Sequence, residues 1–427
     1  MRFEVLHEGA GYRHVRFLAK DVLAMGFKCY SLQRQHGAEE TPATASSVTP
    51  DIIDNDFYRI EVDEASGALK SIFDKELKRE LVDSSSPYRF NQYLYVLGGA
   101  QTQIVYMRKS LPVANLTVTP SFGGRIVGLS KTAYGQILTV EAKGVRTPLL
   151  QTQIILYEGE KKIELVNKLT KDAVREKEAG YFAFPIAMPR LAFSYEIQNG
   201  WVDPSKDMLK GAGLEWFSVM HWVKASAGDC DVAIVPVDAP LITLGDINRG
   251  VWPEEFTPKS ATIFSYAFNN YWHTNYRAEQ GGQITFRYAL TSGSSLTPEN
   301  LARFGRAAMT PLEADRVIDQ DKVGNPDRPL KPAPTSFLQV DAPDVVVESW
   351  KTAEDGRGTI LRLLETGNRP TTARVEFLML KLQGAWLVNA MEEDEKEIAL
   401  TGSALEIAMR PHQIVTLRII GEFQQTK

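Results

Sequence analysis

The densest set of residues able to meet a ligand is Tyr266-Ala-Phe-Asn-Asn-Tyr-Trp-His-Thr-Asn-Tyr276, followed by Gly281-Gly282. Indole and phenol faces stack on sugar rings, while imidazole and carboxamide groups hydrogen-bond to hydroxyls. That chemistry makes Asn270, Trp272, His273, Asn275 and Tyr276 the candidate carbohydrate-binding residues. The competing reading is a strand and turn whose aromatic rings fill the core. A second cluster, Leu214-Glu-Trp-Phe-Ser-Val-Met-His-Trp222, places His221 among apolar neighbours, the setting of a satisfied core histidine. A third, Asn248-Arg-Gly-Val-Trp-Pro-Glu-Glu255, has carboxylates beside Trp252. Adjacent carboxylates point to opposite faces of a strand, so Glu254 and Glu255 make a poor acid/base couple.

Several reaction classes find no support. The chain has no P-loop, no dinucleotide fingerprint and no Gly-x-Ser-x-Gly elbow. Its six histidines, His7, His14, His36, His221, His273 and His412, form no His-x-x-x-His, His-x-His or His-x-Asp pair, so no metal site is legible. No catalytic residue is assigned.

Period-two alternation dominates the elements that would carry these groups. Residues 57–62 and 69–73 flank the turn Glu64-Ala-Ser-Gly67 and predict a hairpin. Residues 151–156 and 162–168 flank Tyr157-Glu-Gly-Glu160 and predict another. Further strands are expected at 135–142, 231–236, 283–290, 359–364, 372–377 and 414–419. One helix is expected at Thr297-Pro-Glu-Asn-Leu-Ala-Arg-Phe-Gly305, with Thr297 as N-cap and Pro298 in the first turn. Asp74 and Lys75, at a strand end, are expected to close a turn, and Arg362 and Glu365 to pair within the last sheets. The fold class expected is mainly β, built of antiparallel sandwiches. Linker-like stretches at 36–51 and 321–334 divide the chain into a leading segment (1–50), the large sandwich (51–295), a short helix with a Pro-rich linker (296–335) and the small sandwich (336–427).

The 427 residues carry a net charge of −5, which offers no overall basic field for nucleic acid or anionic lipid. No apolar run approaches the roughly 20 residues that span a bilayer, and no secretory pattern opens the chain. Two cysteines, Cys29 and Cys230, fit a reducing compartment, so a cytoplasmic location is expected.

Asp54-Asn-Asp-Phe-Tyr-Arg-Ile-Glu-Val62 and Ser66-Gly-Ala-Leu-Lys-Ser-Ile-Phe-Asp-Lys75 resemble the entry to the C-terminal region of family 38 glycoside hydrolases, the α-mannosidases. Asn269-Asn-Tyr-Trp-His-Thr-Asn-Tyr276 before Gln280-Gly-Gly282 is similar to that family's Asn-x-Trp-x-Thr-Asn segment. Phe337-Leu-Gln-Val340, Ile360-Leu-Arg-Leu363 with Glu365, and Pro411-His-Gln-Ile-Val-Thr-Leu417 are similar to its terminal sandwich, and Ala24-Met-Gly-Phe-Lys-Cys-Tyr30 to its link into the region. The resemblance implies a large antiparallel supersandwich, mutarotase-like, followed by a smaller β-sandwich. It further implies a chain lacking the family's N-terminal catalytic domain, where the nucleophilic aspartate and the zinc or other divalent metal are expected. No cofactor is therefore expected within this chain. Its expected partners are that domain and α-mannosides or related glycans, with no nucleic acid and no membrane.

The parent enzyme would cleave α-mannosidic bonds with retention, and this portion would support the catalytic domain and contribute carbohydrate contacts. The alternatives are a standalone carbohydrate-binding module, or a sandwich-fold epimerase or lyase if His221 and His273 converge on a carboxylate in one cleft. A surface built to face another domain should expose apolar side chains, expected on the N-terminal segment and across 266–276.

Overall fold

The computed structural model of the protein describes residues 3–10, 12–31, 51–98, 116–188, 192–247, 253–270, 279–315 and 333–423. The expected class holds: the chain is mainly β, and its strand pairings are antiparallel, from Phe3↔Phe17 at the first to Val388↔Thr416 near the last. It divides into two compact units, Met1–Leu18 with Glu40–Leu296, and Ala19–Glu39 with Thr297–Lys427.

In the first unit a nine-stranded sheet runs Phe122–Thr132, Gly135–Gly144, Thr147–Tyr157, Ile163–Lys171, Gly282–Gly293, Cys230–Pro236, Val223–Ala227, Ala192–Ile197 and Gly200–Val202. A six-stranded sheet runs Phe217–Ser218, Leu241–Leu244, Ile263–Asn269, Glu178–Phe184, Gln92–Leu97 and Thr117–Pro120. Alternation decides which faces meet. In Ile163–Lys171 the odd positions are buried and the even ones partly or fully exposed, as expected of a strand wet on one face. Glu178–Phe184 and Cys230–Pro236 are buried at every residue, and apart from Glu178 and Asp231 they read as small or apolar runs. Phe182 lies between the sheets against Tyr93, Phe286 and Tyr288, with ring centroids 5.6–6.0 Å apart.

Several polar side chains that reach this core are paired. Asn91 and Asn167 exchange amide hydrogen bonds of 2.9 and 3.0 Å, and Thr152 donates to the same Asn167 oxygen at 2.8 Å. Tyr288 donates to Ser265 at 2.9 Å. Burial without a partner would cost about 1–3 kcal/mol per group, so these bonds fix the register of facing strands.

The hairpin expected at 57–73 is the centre of a four-stranded sheet, Ile52–Asp54, Tyr58–Asp63, Ala68–Asp74 and Arg79–Glu80. Asp74 closes its turn as expected, with Oδ1 accepting from the amides of Glu76 and Leu77 at 2.9 and 2.8 Å. Its other oxygen accepts from the Ser292 hydroxyl at 2.6 Å and faces Lys161 Nζ at 3.0 Å. The Ser292 hydroxyl has one hydrogen, given to Asp74, so Tyr58 donates to Ser292 Oγ (2.9 Å) while accepting from the Ser292 amide (3.0 Å). Burial pushes the Asp74 carboxyl up, but the Leu77 amide, the Ser292 hydroxyl and the Lys161 ammonium outweigh it and hold the group below the usual carboxylate range. The neighbouring Lys75 reaches Asp54 at 2.8 Å.

The second unit pairs Gly26–Phe27 with Thr335–Ser336 beside two further sheets. One runs Leu338–Val340, Thr371–Phe377 and Ala404–Met409; the other runs Val345–Thr352, Thr359–Glu365, Ile414–Phe423, Leu380–Val388 and Asp394–Glu397. The helix forms at Pro298–Met309, with Thr297 Oγ1 capping the Asn300 amide. Arg418, 1% exposed, has Nε on Asp394 at 2.6 Å and Nη1 on Asp355 at 2.9 Å, and Nη2 reaches the Glu392 carbonyl. The Arg357 amide first, then the Arg357 and Arg418 guanidinium groups, hold the Asp355 carboxyl down at about 2. The expected Arg362–Glu365 pair does not form. Glu365 instead accepts from the amides of Gly367 (2.6 Å), Asn368 (3.1 Å) and His412 (2.8 Å). Two left-handed residues, Asn368 and His412, need that anchor more than Arg362 needs a partner.

The exposed apolar surface divides. Phe3, Leu6 and Tyr12 in the N-terminal segment are 39–51% exposed, but Tyr266, Phe268 and Asn270 are buried. The described part of 266–276 is core, as the end of a strand covered on both sides must be.

Asp74→Asn is expected to lower unfolding free energy by about 2 kcal/mol at pH 7, because a buried acceptor set is lost. A depressed carboxyl contributes stability above the ordinary range near 3.9 and loses it as pH falls further. The gap between wild type and variant, measured by urea unfolding, should therefore narrow below about pH 4.

Candidate functional site

The candidate stretch leaves the strand Ile263–Asn269 at Asn270 and re-enters the sheets at Gly282. Trp272, His273, Asn275 and Tyr276 lie outside the described residues, as does Trp252. The structure shows what holds the two flanks. Asn270 is 4% exposed, and its Nδ2 donates to the carbonyls of Val174 and Glu176 at 2.8 and 3.1 Å. Its amide donates to the Glu178 carbonyl at 2.8 Å. Both Nδ2 hydrogens are committed to main chain, so Asn270 ties down the 171–178 connection; its donor group does not face a ligand.

The other flank is held by Lys171. This lysine ends Ile163–Lys171 on the buried parity, and its side chain has no exposed surface. Nζ lies 2.5 Å from Glu178 Oε1 and donates to the carbonyls of Asp172 (2.8 Å) and Gln280 (2.9 Å). Two of its hydrogens are thereby placed on main-chain carbonyls, and the ammonium charge faces the Glu178 carboxylate. The Phe268 ring covers it, with Nζ 5.3 Å from the centroid. Glu178, also fully buried, receives the Tyr95 hydroxyl on Oε2 at 2.6 Å. Burial first, then the Glu178 carboxylate, push the Tyr95 phenol up, so it stays a donor.

Gly281 has Ala173 backbone and side-chain atoms within 2.7–2.9 Å of where a Cβ would stand. Only glycine lets the returning chain pass that close. Lys171, Glu178 and Tyr95 were not among the residues expected at the site. The signal was present in Ile163, Leu165, Asn167, Leu169 and Lys171, where two polar residues occupy the buried parity of a strand.

Beyond Lys171 the outer face of the same strands carries a shallow groove of about 250 Å³, lined by Leu149, Gln151, Lys168, Thr170, Gln283 and Thr285 among others. Its carboxamides and hydroxyls are of the kind that hydrogen-bond to hydroxyl groups. His221 is elsewhere, with Nδ1 2.9 Å from Glu196 Oε2. Glu196 is buried, which fits the expected satisfied core histidine. The epimerase reading needs His273 beside it, and His273 lies outside the described residues. Among the described residues no group of three or more His, Cys, Asp or Glu side chains is arranged to hold a metal ion.

Two family models match this chain. The glycosyl hydrolases family 38 C-terminal domain covers residues 53–235, and the family 38 C-terminal beta sandwich domain covers 344–417; together they take in more than half of the chain. The chain belongs to the C-terminal region of family 38. The first match contains Asp74, Tyr95, Lys171 and Glu178, and the second contains Glu365 and His412.

Two solved structures share the fold across this family 38 region. An alpha-mannosidase from Enterococcus faecalis V583 covers 89% of this chain at TM-score 0.62 and 13% identity. A protein in the glycosyl hydrolase family 38 from Enterococcus faecalis covers 90% at TM-score 0.62 and 13% identity. The match takes in 44% and 46% of those two chains, so this chain spans less than half the length of either. No curated protein matches the chain in sequence.

Lys171→Met should cost about 3–5 kcal/mol in denaturant unfolding, because Glu178 would be left buried and uncompensated. Lys171→Met with Glu178→Leu should cost less than the single change, since removing both charges leaves neither stranded. A double variant at least as damaged as the single one would show that the pair is not the source of the loss.

Proposed function

We propose that this chain is the sandwich portion of an α-mannosidase-type glycoside hydrolase that braces the catalytic domain and contributes contacts to the glycan. The observation that carries the proposal is the pair of family 38 C-terminal matches in chain order, 53–235 then 344–417. The parent enzyme cleaves α-mannosidic bonds with retention. Such a reaction uses two carboxyl groups about 5–5.5 Å apart, one attacking and one passing the proton. No residue of this chain is assigned to either role. The sugar contacts are assigned to Trp272, His273, Asn275 and Tyr276, whose rings and polar groups suit a hexose. Their supports are Asn270 on one side and the Gln280 carbonyl, held by Lys171, on the other. Free Cys29 and Cys230 suit a reducing compartment, and the cytoplasm is where we place the protein. No helix among the described residues is long and apolar enough to cross a membrane.

Two measurements test the proposal. The chain alone, given an aryl α-mannoside and zinc, is expected to show no turnover above buffer; robust turnover would overturn its role as a supporting portion. Calorimetry with mannose and mannobiose is expected to show millimolar binding that Trp272→Ala abolishes. Binding that survives this change would remove the 272–276 assignment.

A further inference from the structure

The sequence offers no histidine pair at metal-binding spacing, yet folding brings two of the six together. Phe3–Gly9 and Tyr12–Phe17 form an antiparallel hairpin in which Val5 pairs with Val15 and His7 with His14. The register shifts between Val5 and His7, so Leu6 is the extra residue of a β-bulge. Without that bulge Leu6, not His7, would stand opposite His14. Bulges re-aim side chains in this way and are frequent beside functional sites.

The resulting face is built. Tyr12 pairs with Gly9, and its ring atoms lie 2.5–2.8 Å from where a Gly9 Cβ would stand, so glycine is needed for the ring to lie there. The ring stacks on His7 at 5.6 Å and 11°, and sits 5.4 Å from His14. The two imidazole centroids are 6.0 Å apart at 49°. His7, Tyr12 and His14 are all exposed. Among the described residues neither imidazole has a hydrogen-bond or ion-pair partner. The nearby charges are engaged elsewhere: Glu8 accepts from Arg13 at 2.8 Å, and Arg16 donates to Tyr134 at 2.7 Å.

We propose that His7 and His14 chelate one borderline divalent cation of the zinc, nickel or copper class, with water completing its coordination. Directly opposed residues of an antiparallel pair hold their Cβ atoms about 4.5–5.5 Å apart. Small side-chain rotations then bring one nitrogen of each ring to the roughly 2.0–2.1 Å that zinc requires. Neutral imidazole suits zinc, copper and nickel and discriminates against magnesium and calcium, which select oxygen. Bound there, the ion bridges two strands that otherwise form an isolated hairpin, an arrangement of marginal stability. This site is independent of the glycan proposal.

The test is calorimetric titration of the untagged full chain with zinc and nickel chlorides, alongside His7→Asn and His14→Asn. The wild type should take up about one ion per chain, and each substitution should weaken binding at least about tenfold, the loss that even an outer-shell partner brings. Magnesium chloride should give no heat. Histidine ring resonances followed by NMR should respond at His7 and His14 together. No uptake by the wild type, uptake unchanged in both variants, or a response confined to one ring would overturn the proposal. Both residues are exposed, and circular dichroism of the variants should match the wild type.

Discussion

A lysine and a glutamate with no exposed side-chain surface persist inside a protein only if each recovers what it lost on leaving water. Desolvating two such ions costs several kcal/mol each, and the attraction between them offsets this only when the remaining hydrogen-bonding capacity is also used. At Lys171 and Glu178 two carbonyls accept from the ammonium, the carboxylate faces it at 2.5 Å, and Tyr95 donates to the other carboxylate oxygen. The geometry that satisfies them also places the Gln280 carbonyl, the 172–177 connection and the end of the strand Ile263–Asn269. One electrostatic requirement thus holds both flanks of the 270–282 stretch.

Asp74 is a second instance of this logic. Ser292 and Lys161 converge on a carboxylate that also closes the turn after its strand, and Tyr58 donates to the same Ser292. In the second unit Glu365 gathers the amides of Gly367, Asn368 and His412, joining two of the segments that resemble family 38. The residues that carry the resemblance therefore include polar groups buried at turns, where the backbone leaves few substitutes. A fold can be shared with an alpha-mannosidase at 13% identity because apolar core positions accept many side chains of similar volume.

Much of the fold was legible because period two is a local property. The hairpin at Tyr58–Asp74, the strands Thr147–Tyr157 and Ile163–Lys171, and the Thr297-capped helix each follow from their own residues. The sheet order was not, since Ile163–Lys171 pairs with Gly282–Gly293 more than a hundred residues later and nothing local encodes that. At Asn270 residue type does not separate a sugar contact from a main-chain anchor, because a carboxamide serves a carbonyl oxygen as well as a hydroxyl, and only burial separates the two uses. His7 and His14 looked scattered because the bulge at Leu6 that opposes them has no signature in the pattern of residues. Lys171 could have been found, since a charged residue on a buried parity demands a partner.

The central claim is that the Lys171–Glu178 pair holds the flanks of the 270–282 stretch. Native-state hydrogen exchange at the Asn270 amide, which donates to the Glu178 carbonyl, tests it most directly. The prediction is exchange only through global unfolding in the wild type, and through a local opening of lower free energy in Lys171→Met. An Asn270 amide that exchanges as fast as an exposed loop in the wild type, or that keeps its global protection in Lys171→Met, would contradict the claim.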